Sequence, residues 1–278
     1  MHRNVRGDNV LHLFHVQFVS QPQRMCYMLF PLIAGGSLRD EVSKRKLLSD
    51  NLAEVRPFSE RQVLVLFKGV LEGVKAMHAA GYAHCDVKLE NVLLDKSANT
   101  RDEEMKFASR PNCVVGSPIL MDFGSARNLV IKLNDRRTVL NLTEEAAQHS
   151  TISCRAPELF DGGCRHGPLE ADICGKIDVW SSGCLLYGLM YGTSPFEMEF
   201  RHDGSVRVVE CTHLRVLGGK VQFPSVNRES IYKYRQETHE LVEWILAVDR
   251  TERPSIDEVR ERVESMLTRR STGLRDLV

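Results

Sequence analysis

Residues 84–91 read His-Cys-Asp-Val-Lys-Leu-Glu-Asn, residues 122–124 read Asp-Phe-Gly, and residues 156–158 read Ala-Pro-Glu. Any one of these short motifs can arise by chance in a chain of 278 residues. Their occurrence together, in this order, with a helical pattern before them and further helical patterns after them, is far more specific. These three motifs therefore decide how the fold is interpreted.

The ordered motifs resemble those of the protein kinase family, and the resemblance covers most of the chain. It implies an α+β fold in which a mainly helical C-lobe follows only the last strands of the N-lobe. The implied kinase-like domain spans residues 1–268 and is followed by a tail at 269–278. Its expected divisions are an N-lobe remnant and hinge at 1–33, a C-lobe at 34–268 and an insertion at 95–118.

The implied activity is that of a serine/threonine kinase, which uses ATP and Mg²⁺ to transfer the γ-phosphate to hydroxyls of a protein substrate. Phosphoryl transfer depends mainly on positioning and on charge neutralisation. Asp86 matches the aspartate that orients the attacking hydroxyl, and Lys88 matches the lysine that contacts the transferring phosphate. Asn91 and Asp122 match the two metal ligands, whose oxygen atoms suit Mg²⁺. The alternative for each residue is a solvated position on a loop.

The resemblance also implies an adenine pocket, with the last N-lobe strand and the hinge at 27–36. Phe30 matches the gatekeeper, and Pro31 is required only for its carbonyl because it has no N–H. Ile33 would offer its backbone N–H and C=O to the adenine edge, and Leu93 would form the pocket floor. The alternative is a plain core strand and loop, since apolar residues here are uninformative alone.

The activation segment implied by the resemblance runs from Asp122 to Glu158. Thr151 matches a threonine that hydrogen-bonds to the loop aspartate and lysine. Glu158 is expected to pair with Arg253, and Asp178 to hold the catalytic loop through its backbone amides. A folded but inactive kinase would keep the last two assignments. The residues with an expected structural role are His84, Phe123, Asp178 and Arg253.

A closer resemblance rests on three segments. Residues 140–148 (LNLTEEAAQ) predict a helix inside the activation segment, capped by Asn141 or Thr143. Together with Thr-Ile-Ser-Cys-Arg-Ala-Pro-Glu at 151–158 and Gly-Tyr-Ala-His at 81–84, this helix resembles the Numb-associated kinase group. The nearest branch is the myristoylated and palmitoylated serine/threonine kinase. Because the sequence does not begin with Met-Gly, no lipid anchor is expected.

Hydrophobic periodicity predicts the remaining elements. Two strands at 10–19 and 24–33 are separated by the hairpin-like turn at 20–23. The clearest helix runs from Ser59 to Ala80, where Ser59 and Gln62 have capping-box spacing. The other predicted elements are a short helix at 37–48, a strand pair at 92–94 and 119–121, and helices at 176–192, 236–248 and 255–268.

The kinase resemblance lacks three features of an active N-lobe. A glycine-rich loop, a strand lysine and a helix glutamate should precede the first strand, yet none of them is found. Two explanations are open: a truncated sequence or misplaced start, and a natural protein that lost its ATP-clamping half. We expect truncation because the catalytic-loop residues are complete. The alternative function is a pseudokinase-type protein-interaction module.

Cys85 occupies a position where the family usually has arginine. That arginine gathers a phosphate on the activation segment, which a neutral thiol cannot do. We therefore predict that phosphorylation of Thr138, Thr143 or Ser150 is not a required on-switch acting through position 85. The alternative is neutral drift at this position.

Composition limits the remaining classes of function. With 37 basic and 37 acidic residues the formal net charge is zero, which indicates neither a nucleic-acid partner nor an anionic membrane surface. The eight cysteines contain no Cys-x-x-Cys pair, so reduced thiols in an intracellular, cytoplasmic protein are expected. A small-molecule kinase of the aminoglycoside or choline type is disfavoured, because Ala-Pro-Glu and its Arg253 partner are protein-kinase features. The sequence leaves the oligomeric state and the substrate protein open.

Overall fold

The computed structural model describes residues 4–20, 23–47, 58–97, 116–131, 136–160, 173–200, 206–223 and 234–272. Within these ranges helices predominate, and short strands form two-stranded antiparallel sheets. The helices are α1 (Leu38–Leu47), α2 (Glu60–Ala79), α3 (Arg136–His149), α4 (Ile173–Tyr191), α5 (His213–Leu217), α6 (Gln236–Ile245) and α7 (Ile256–Thr272). The strands are β1 (His15–Val19), β2 (Met25–Leu29), β3 (Tyr82–Ala83), β4 (Val92–Asp95), β5 (Ser117–Leu120), β6 (Arg127–Asn128), β7 (Met198–Phe200) and β8 (Val206–Val208). The predicted α+β class is confirmed.

Helix α2 begins at the cap that the sequence predicts. The Ser59 side chain accepts a hydrogen bond from the Gln62 amide at 3.3 Å, and the Gln62 side chain accepts one from the Ser59 amide at 2.9 Å. This reciprocal pair satisfies two amides that a helix N-terminus otherwise leaves without partners. The apolar face of α2 is buried from Val63 to Met77, so the helix packs on α4, α7 and β5.

Helix α4 lies at the centre of the helical packing. From residue 177 to residue 191 its side chains are buried on every face, including Trp180 and Tyr187, which are both 0% exposed. A helix that is apolar all round must be covered on all sides. Helices α2 and α6 pack against it, and α4 itself contacts β3 and the 3-10 turn Leu89–Asn91.

The predicted strand at 10–19 is wrong in its first half. Strand β1 begins at His15 and pairs with β2, whereas the amide of Leu11 donates to the carbonyl of Leu120 at 2.8 Å. Residues 9–11 therefore lie beside β5, where Val10 and Leu11 are buried. Gly73 of α2 permits this close approach, because a Cβ at that position would lie 2.6 Å from the Asn9 carbonyl oxygen. Burial of residues 9–11 against α2 therefore outweighs the alternating pattern that predicted one continuous strand over residues 10–19.

Other predicted boundaries shift by a few residues, and the predicted cap at Asn141 or Thr143 is wrong, because α3 begins at Arg136 and contains both residues. Strands β4 and β5 pair in the predicted place, with Leu93 opposite Ile119. Helix α7 continues to Thr272, past residue 268, at which the last helix and the domain were expected to end. Most of the expected insertion at 95–118 lies outside the described residues, as do 1–3 and 273–278. Within the described ranges, no helix combines the length and the apolar character needed to cross a membrane.

Candidate active site

Four predicted site residues meet in one hydrogen-bonded cluster. The Lys88 ammonium lies 2.8 Å from Asp86 Oδ2 and donates to Thr151 Oγ1 at 2.8 Å. The Thr151 amide and hydroxyl lie 3.3 and 3.4 Å from Asp86 Oδ1. Asn91 Nδ2 donates to the carbonyl oxygen and to Oδ2 of Asp86, both at 2.9 Å. Both carboxylate oxygens of Asp86 thus have hydrogen-bond partners. The Asp86 side chain is also nearly buried, at 9% exposure.

The loop that carries Asp86 is held by a buried carboxylate. Asp178, 0% exposed on α4, accepts hydrogen bonds from the amides of His84 at 2.8 Å and Cys85 at 2.7 Å. Its Oδ2 also lies 2.8 Å from His78 Nε2. Cys85 has a φ of 64°, a conformation uncommon outside glycine. The expected contact of Asp178 with the loop amides is therefore present, and it holds a strained turn in place.

The Asp-Phe-Gly motif joins this loop through His84. His84 Nε2 lies 2.9 Å from the carbonyl oxygen of Met121, and its ring meets Phe123 edge-on at 5.7 Å between centroids. Asp122 follows with a φ of 63° and an exposed carboxylate, whose Oδ1 accepts from the Gly124 amide at 3.2 Å. His84 thus contacts the residues on both sides of Asp122, and these contacts fix the backbone that carries the Asp122 carboxylate.

The predicted hinge lies directly against strand β4. The Leu94 amide donates to the Gly36 carbonyl at 2.9 Å, and a Cβ at Gly35 would lie 1.9 Å from the Leu94 carbonyl oxygen. Leu93, Phe30, Pro31 and Ile33 are all partly exposed. The predicted floor residue Leu93 therefore lies on the strand beside the hinge, and its side chain is partly exposed.

The end of the activation segment is tied to α4 and to the turn after it. Ser181 Oγ donates to the Cys154 carbonyl at 3.0 Å, and Ser194 Oγ donates to the Ser153 carbonyl at 2.6 Å. Neither serine was predicted as a site residue from the sequence. The available sequence signals were the Ser-Ser-Gly at 181–183 and the Ser-Pro at 194–195. Neither pattern specifies a hydrogen-bond partner for the serine.

The expected Glu158–Arg253 pair is present and buried. The Arg253 guanidinium donates to both carboxylate oxygens at 2.8 and 3.0 Å, and the Arg253 side chain is 0% exposed. Further bonds run to the carbonyls of Lys176 and Ala247, and the guanidinium lies 5.0 Å from the centroid of Trp180. Its donors are therefore largely satisfied, as a buried charge requires.

Helix α3 of the activation segment is held by contacts that the sequence did not reveal. Arg127 on β6 pairs with Glu145 at 2.5 Å, and Ser125 Oγ donates to the His149 carbonyl at 2.7 Å. The Arg155 guanidinium donates to Ser150 Oγ at 2.9 Å and to the Ser150 carbonyl at 2.8 Å. These contacts tie α3 to β6 and to the docking end of the segment.

Comparison with known proteins agrees with this geometry. The model of the protein kinase domain family matches residues 1–263. The chain belongs to the protein kinase family. It is 31% identical over 267 residues to serine/threonine-protein kinase 16 of Mus musculus, covering 96% of this chain and 74% of the mouse protein. A probable serine/threonine-protein kinase of Dictyostelium discoideum is 27% identical, over 89% of this chain and 75% of that protein.

By this resemblance the chain is a serine/threonine protein kinase. The family generally uses ATP and Mg²⁺, and the donor set at 91 and 122 fits a magnesium ion. The amide donors of Asn91 are directed at Asp86, and the Asp122 carboxylate is exposed. One amide oxygen and one carboxylate, together with phosphate oxygens, make the hard-oxygen environment that Mg²⁺ prefers.

Proposed function

We propose that the chain is a magnesium-dependent serine/threonine kinase domain that transfers the γ-phosphate of ATP to protein hydroxyls. The observation that carries this proposal is the hydrogen-bonded cluster around the Asp86 carboxylate. Lys88 and Asn91 from the same loop contact this carboxylate, and so does Thr151 from the activation segment. A loop with only a structural role does not need an aspartate whose two oxygens are both held, with a lysine placed beside it. A catalytic loop needs both features, because it must hold the reacting groups in position.

In this proposal Asp86 orients the attacking hydroxyl and accepts its proton. Lys88 contacts the transferring phosphate and lowers the repulsion between that phosphate and Asp86. Asn91 and Asp122 hold Mg²⁺, which neutralises phosphate charge when bound. Thr151 links this centre to the docking end of the activation segment, because its hydroxyl touches both Asp86 and Lys88.

Adenine is proposed to bind between the hinge and β4, with Phe30 as gatekeeper, Pro31 and Ile33 at its edge and Leu93 beneath it. The hydrogen bond from Leu94 to Gly36 supports this assignment because it fixes the hinge beside the floor. The domain divisions of the proposal are 1–33, 34–268 with the insertion at 95–118, and the tail at 269–278. We assign the chain to the Numb-associated kinase group, a placement that helix α3 supports.

The second candidate is a pseudokinase-type interaction module, which one structural observation favours. Large apolar side chains of the β1–β2 hairpin are exposed: Phe18 by 77%, Tyr27 by 53% and Leu29 by 59%. Exposed apolar clusters are typical of surfaces that another element covers. The intact Asp86 cluster favours the enzyme.

The deciding test measures transfer of labelled γ-phosphate from Mg-ATP to dephosphorylated casein. The intact mass of the protein isolated from its native source is first compared with 31.5 kDa, and the assay then uses wild type and variants expressed at that native length. Asp86→Asn should abolish transfer, whereas Glu90→Gln, an exposed neighbour paired with Arg39 at 2.7 Å, should retain it. Transfer equal in the wild-type and Asp86→Asn proteins would refute the kinase assignment and favour the interaction module.

A further inference from the structure

The docking turn, which runs from Thr151 to Arg155, uses its first two carbonyls in its own hydrogen bonds. The Cys154 amide donates to the Thr151 carbonyl at 3.0 Å, and the Arg155 amide donates to the Ile152 carbonyl at 3.3 Å. The last carbonyls of such a 3-10 turn have no partner within the turn. Ser153 provides one of these carbonyls and is only 5% exposed, so its carbonyl needs a partner from another element.

Ser194 supplies this partner from the turn that follows α4. Its Oγ donates to the Ser153 carbonyl at 2.6 Å, and Ser194 is itself only 5% exposed. The same oxygen accepts a hydrogen bond from the Phe196 amide at 3.4 Å, and the Glu197 carboxylate accepts one from the Ser194 amide at 3.3 Å. This capping box orients the Ser194 side chain, and its hydroxyl has one proton to donate, which goes to the docking turn.

The turn that carries Ser194 is held firmly by the core. Phe196 is 1% exposed and stacks on Trp180 of α4, with 5.4 Å between the ring centroids and an angle of 1° between the ring planes. By contrast, Ile152 of the docking turn is 39% exposed. Because a closely packed interior resists displacement, the hydrogen bond from Ser194 fixes the position of the docking turn.

We propose that Ser194 is a positioning residue for phosphoryl transfer, which holds Thr151 against Asp86 and Lys88 through the carbonyl of Ser153. The inference rests on the proposed kinase function. The amide and hydroxyl of Thr151 lie 3.3 and 3.4 Å from Asp86 Oδ1. Both distances are near the upper limit for a hydrogen bond, so a shift of the docking turn by roughly half an ångström would break both contacts.

Loss of the Ser194 hydroxyl should therefore slow the transfer step more than it weakens substrate binding. The buried Ser153 carbonyl would lose its partner, and the docking turn would move to restore one. We expect kcat for casein in Ser194→Ala to fall about tenfold, with the KM values for casein and for ATP within about twofold of the wild type. The hinge keeps its own contact, from the Leu94 amide to the Gly36 carbonyl.

The variants separate the donated hydrogen bond from the capping role. Ser194→Thr keeps a hydroxyl that can cap and donate, and it should retain kcat. Ser194→Gly removes the hydroxyl but costs the cap much less than alanine does, so it tests the proposal if Ser194→Ala folds poorly. Thr193→Val is the matched control, because the Thr193 hydroxyl donates within the same cap, to Glu197 at 3.1 Å. A loss of kcat in Thr193→Val equal to that in Ser194→Ala would overturn the proposal.

A double-variant cycle tests whether Ser194 acts through Thr151. In the Thr151→Val background the contacts of the hydroxyl with Asp86 and Lys88 are already lost. Adding Ser194→Ala should then lower kcat by about threefold or less, because the two substitutions remove the same interaction. A full additional tenfold loss in the double variant would show that Ser194 acts by another route and would overturn the proposal.

Hydrogen–deuterium exchange tests the anchoring without turnover. Amides of the peptide that covers residues 151–155 should exchange faster in Ser194→Ala than in the wild type, and Ser194→Thr and Thr193→Val should leave their exchange unchanged. A wild-type protein that transfers no phosphate would refute the kinase assignment on which the inference rests. An active enzyme in which Ser194→Ala changes neither kcat nor this exchange would refute the inference alone.

Discussion

Asn91 donates through its single amide nitrogen to the carbonyl oxygen and to the Oδ2 carboxylate oxygen of Asp86, at 2.9 Å each. Both residues are buried, at 5% and 8% exposure. The two roles proposed for Asn91 therefore use opposite ends of its amide: the nitrogen orients Asp86, and the oxygen is left to bind the metal. A substitution can separate these roles.

The first prediction concerns Asn91→Ala and Asn91→Asp. Alanine removes both roles, whereas aspartate keeps an oxygen ligand but replaces the donor with a second carboxylate beside Asp86. Like charges at this distance repel. We expect kcat to fall by about 100-fold or more in both variants, because a misplaced reactive group costs about that much. If Asn91→Asp retained near wild-type kcat in a steady-state assay, orientation of Asp86 would not be the role of the amide.

The second prediction concerns the buried pair of Glu158 and Arg253. Arg253→Met leaves Glu158, whose side chain is 5% exposed, without its bidentate partner. Breaking a buried pair in this way costs about 3–5 kcal/mol, which urea unfolding would detect as a lower midpoint. The control is Arg207→Ala, because Arg207 pairs with Glu199 while 52% exposed and such pairs contribute about 0–1 kcal/mol. Equal losses in the two variants would contradict the structure.

Two contacts of the fold were predictable from the sequence, one from a local rule and one from the family resemblance. The start of α2 follows from the Ser59 and Gln62 spacing, which is itself the hydrogen-bonding geometry of a helix cap. The Glu158–Arg253 contact followed from the family resemblance, although 95 residues separate the two partners. In both cases residue identity determines the partner.

Other parts depend on packing that a sequence pattern does not contain. Residues 10–19 alternate like one strand, yet residues 9–11 join β5 because Gly73 leaves room for them against α2. The anchoring of α3 by Arg127 and Glu145 joins two elements whose proximity follows only from the folded chain.

The third prediction concerns the contact between hinge and floor. Gly35→Ala would place a Cβ 1.9 Å from the Leu94 carbonyl oxygen, so the hinge must move away from β4. We expect nucleotide affinity to fall about tenfold or more in a titration with a fluorescent ATP analogue. Gly81→Ala is the control, because a Cβ there meets nothing within 4 Å although φ is +83°. It should lower stability by about 1 kcal/mol and leave affinity unchanged.

The fourth prediction concerns Cys85 and the expected independence from phosphorylation. Cys85 lines a small cavity with Arg127, His149 and Ser150. An arginine introduced by Cys85→Arg would lie near Arg127, so we expect a stability loss of about 1–3 kcal/mol from overpacking and repulsion. Phosphatase treatment and Thr143→Ala should leave the wild-type activity close to its starting value. A strict need for phosphate that Cys85→Arg does not alter would contradict the hypothesis.

The fifth prediction concerns the pH dependence of stability and His239. His239 is 7% exposed, stacks on Phe223 at 4.1 Å, and has its Nε2 2.7 Å from the Tyr191 hydroxyl. Burial lowers its pKa below the ordinary 6.5, against the opposing charge of Glu60. The unfolded chain therefore takes up the proton first, and stability falls as the pH drops below 6.5 toward the folded pKa.

Replacing His239 with glutamine should reduce this loss of stability at acidic pH. The variant keeps a partner for Tyr191 but has no group that titrates, so its free energy of unfolding should change less between about pH 7 and pH 5 than that of the wild type. At neutral pH the variant should be less stable by about 1–2 kcal/mol, because the stack on Phe223 is lost. Urea unfolding at several pH values measures both effects, with the exposed His213→Asn as the control. If the free energy of unfolding of His239→Gln fell as steeply with decreasing pH as that of the wild type, groups other than His239 would cause the loss of stability.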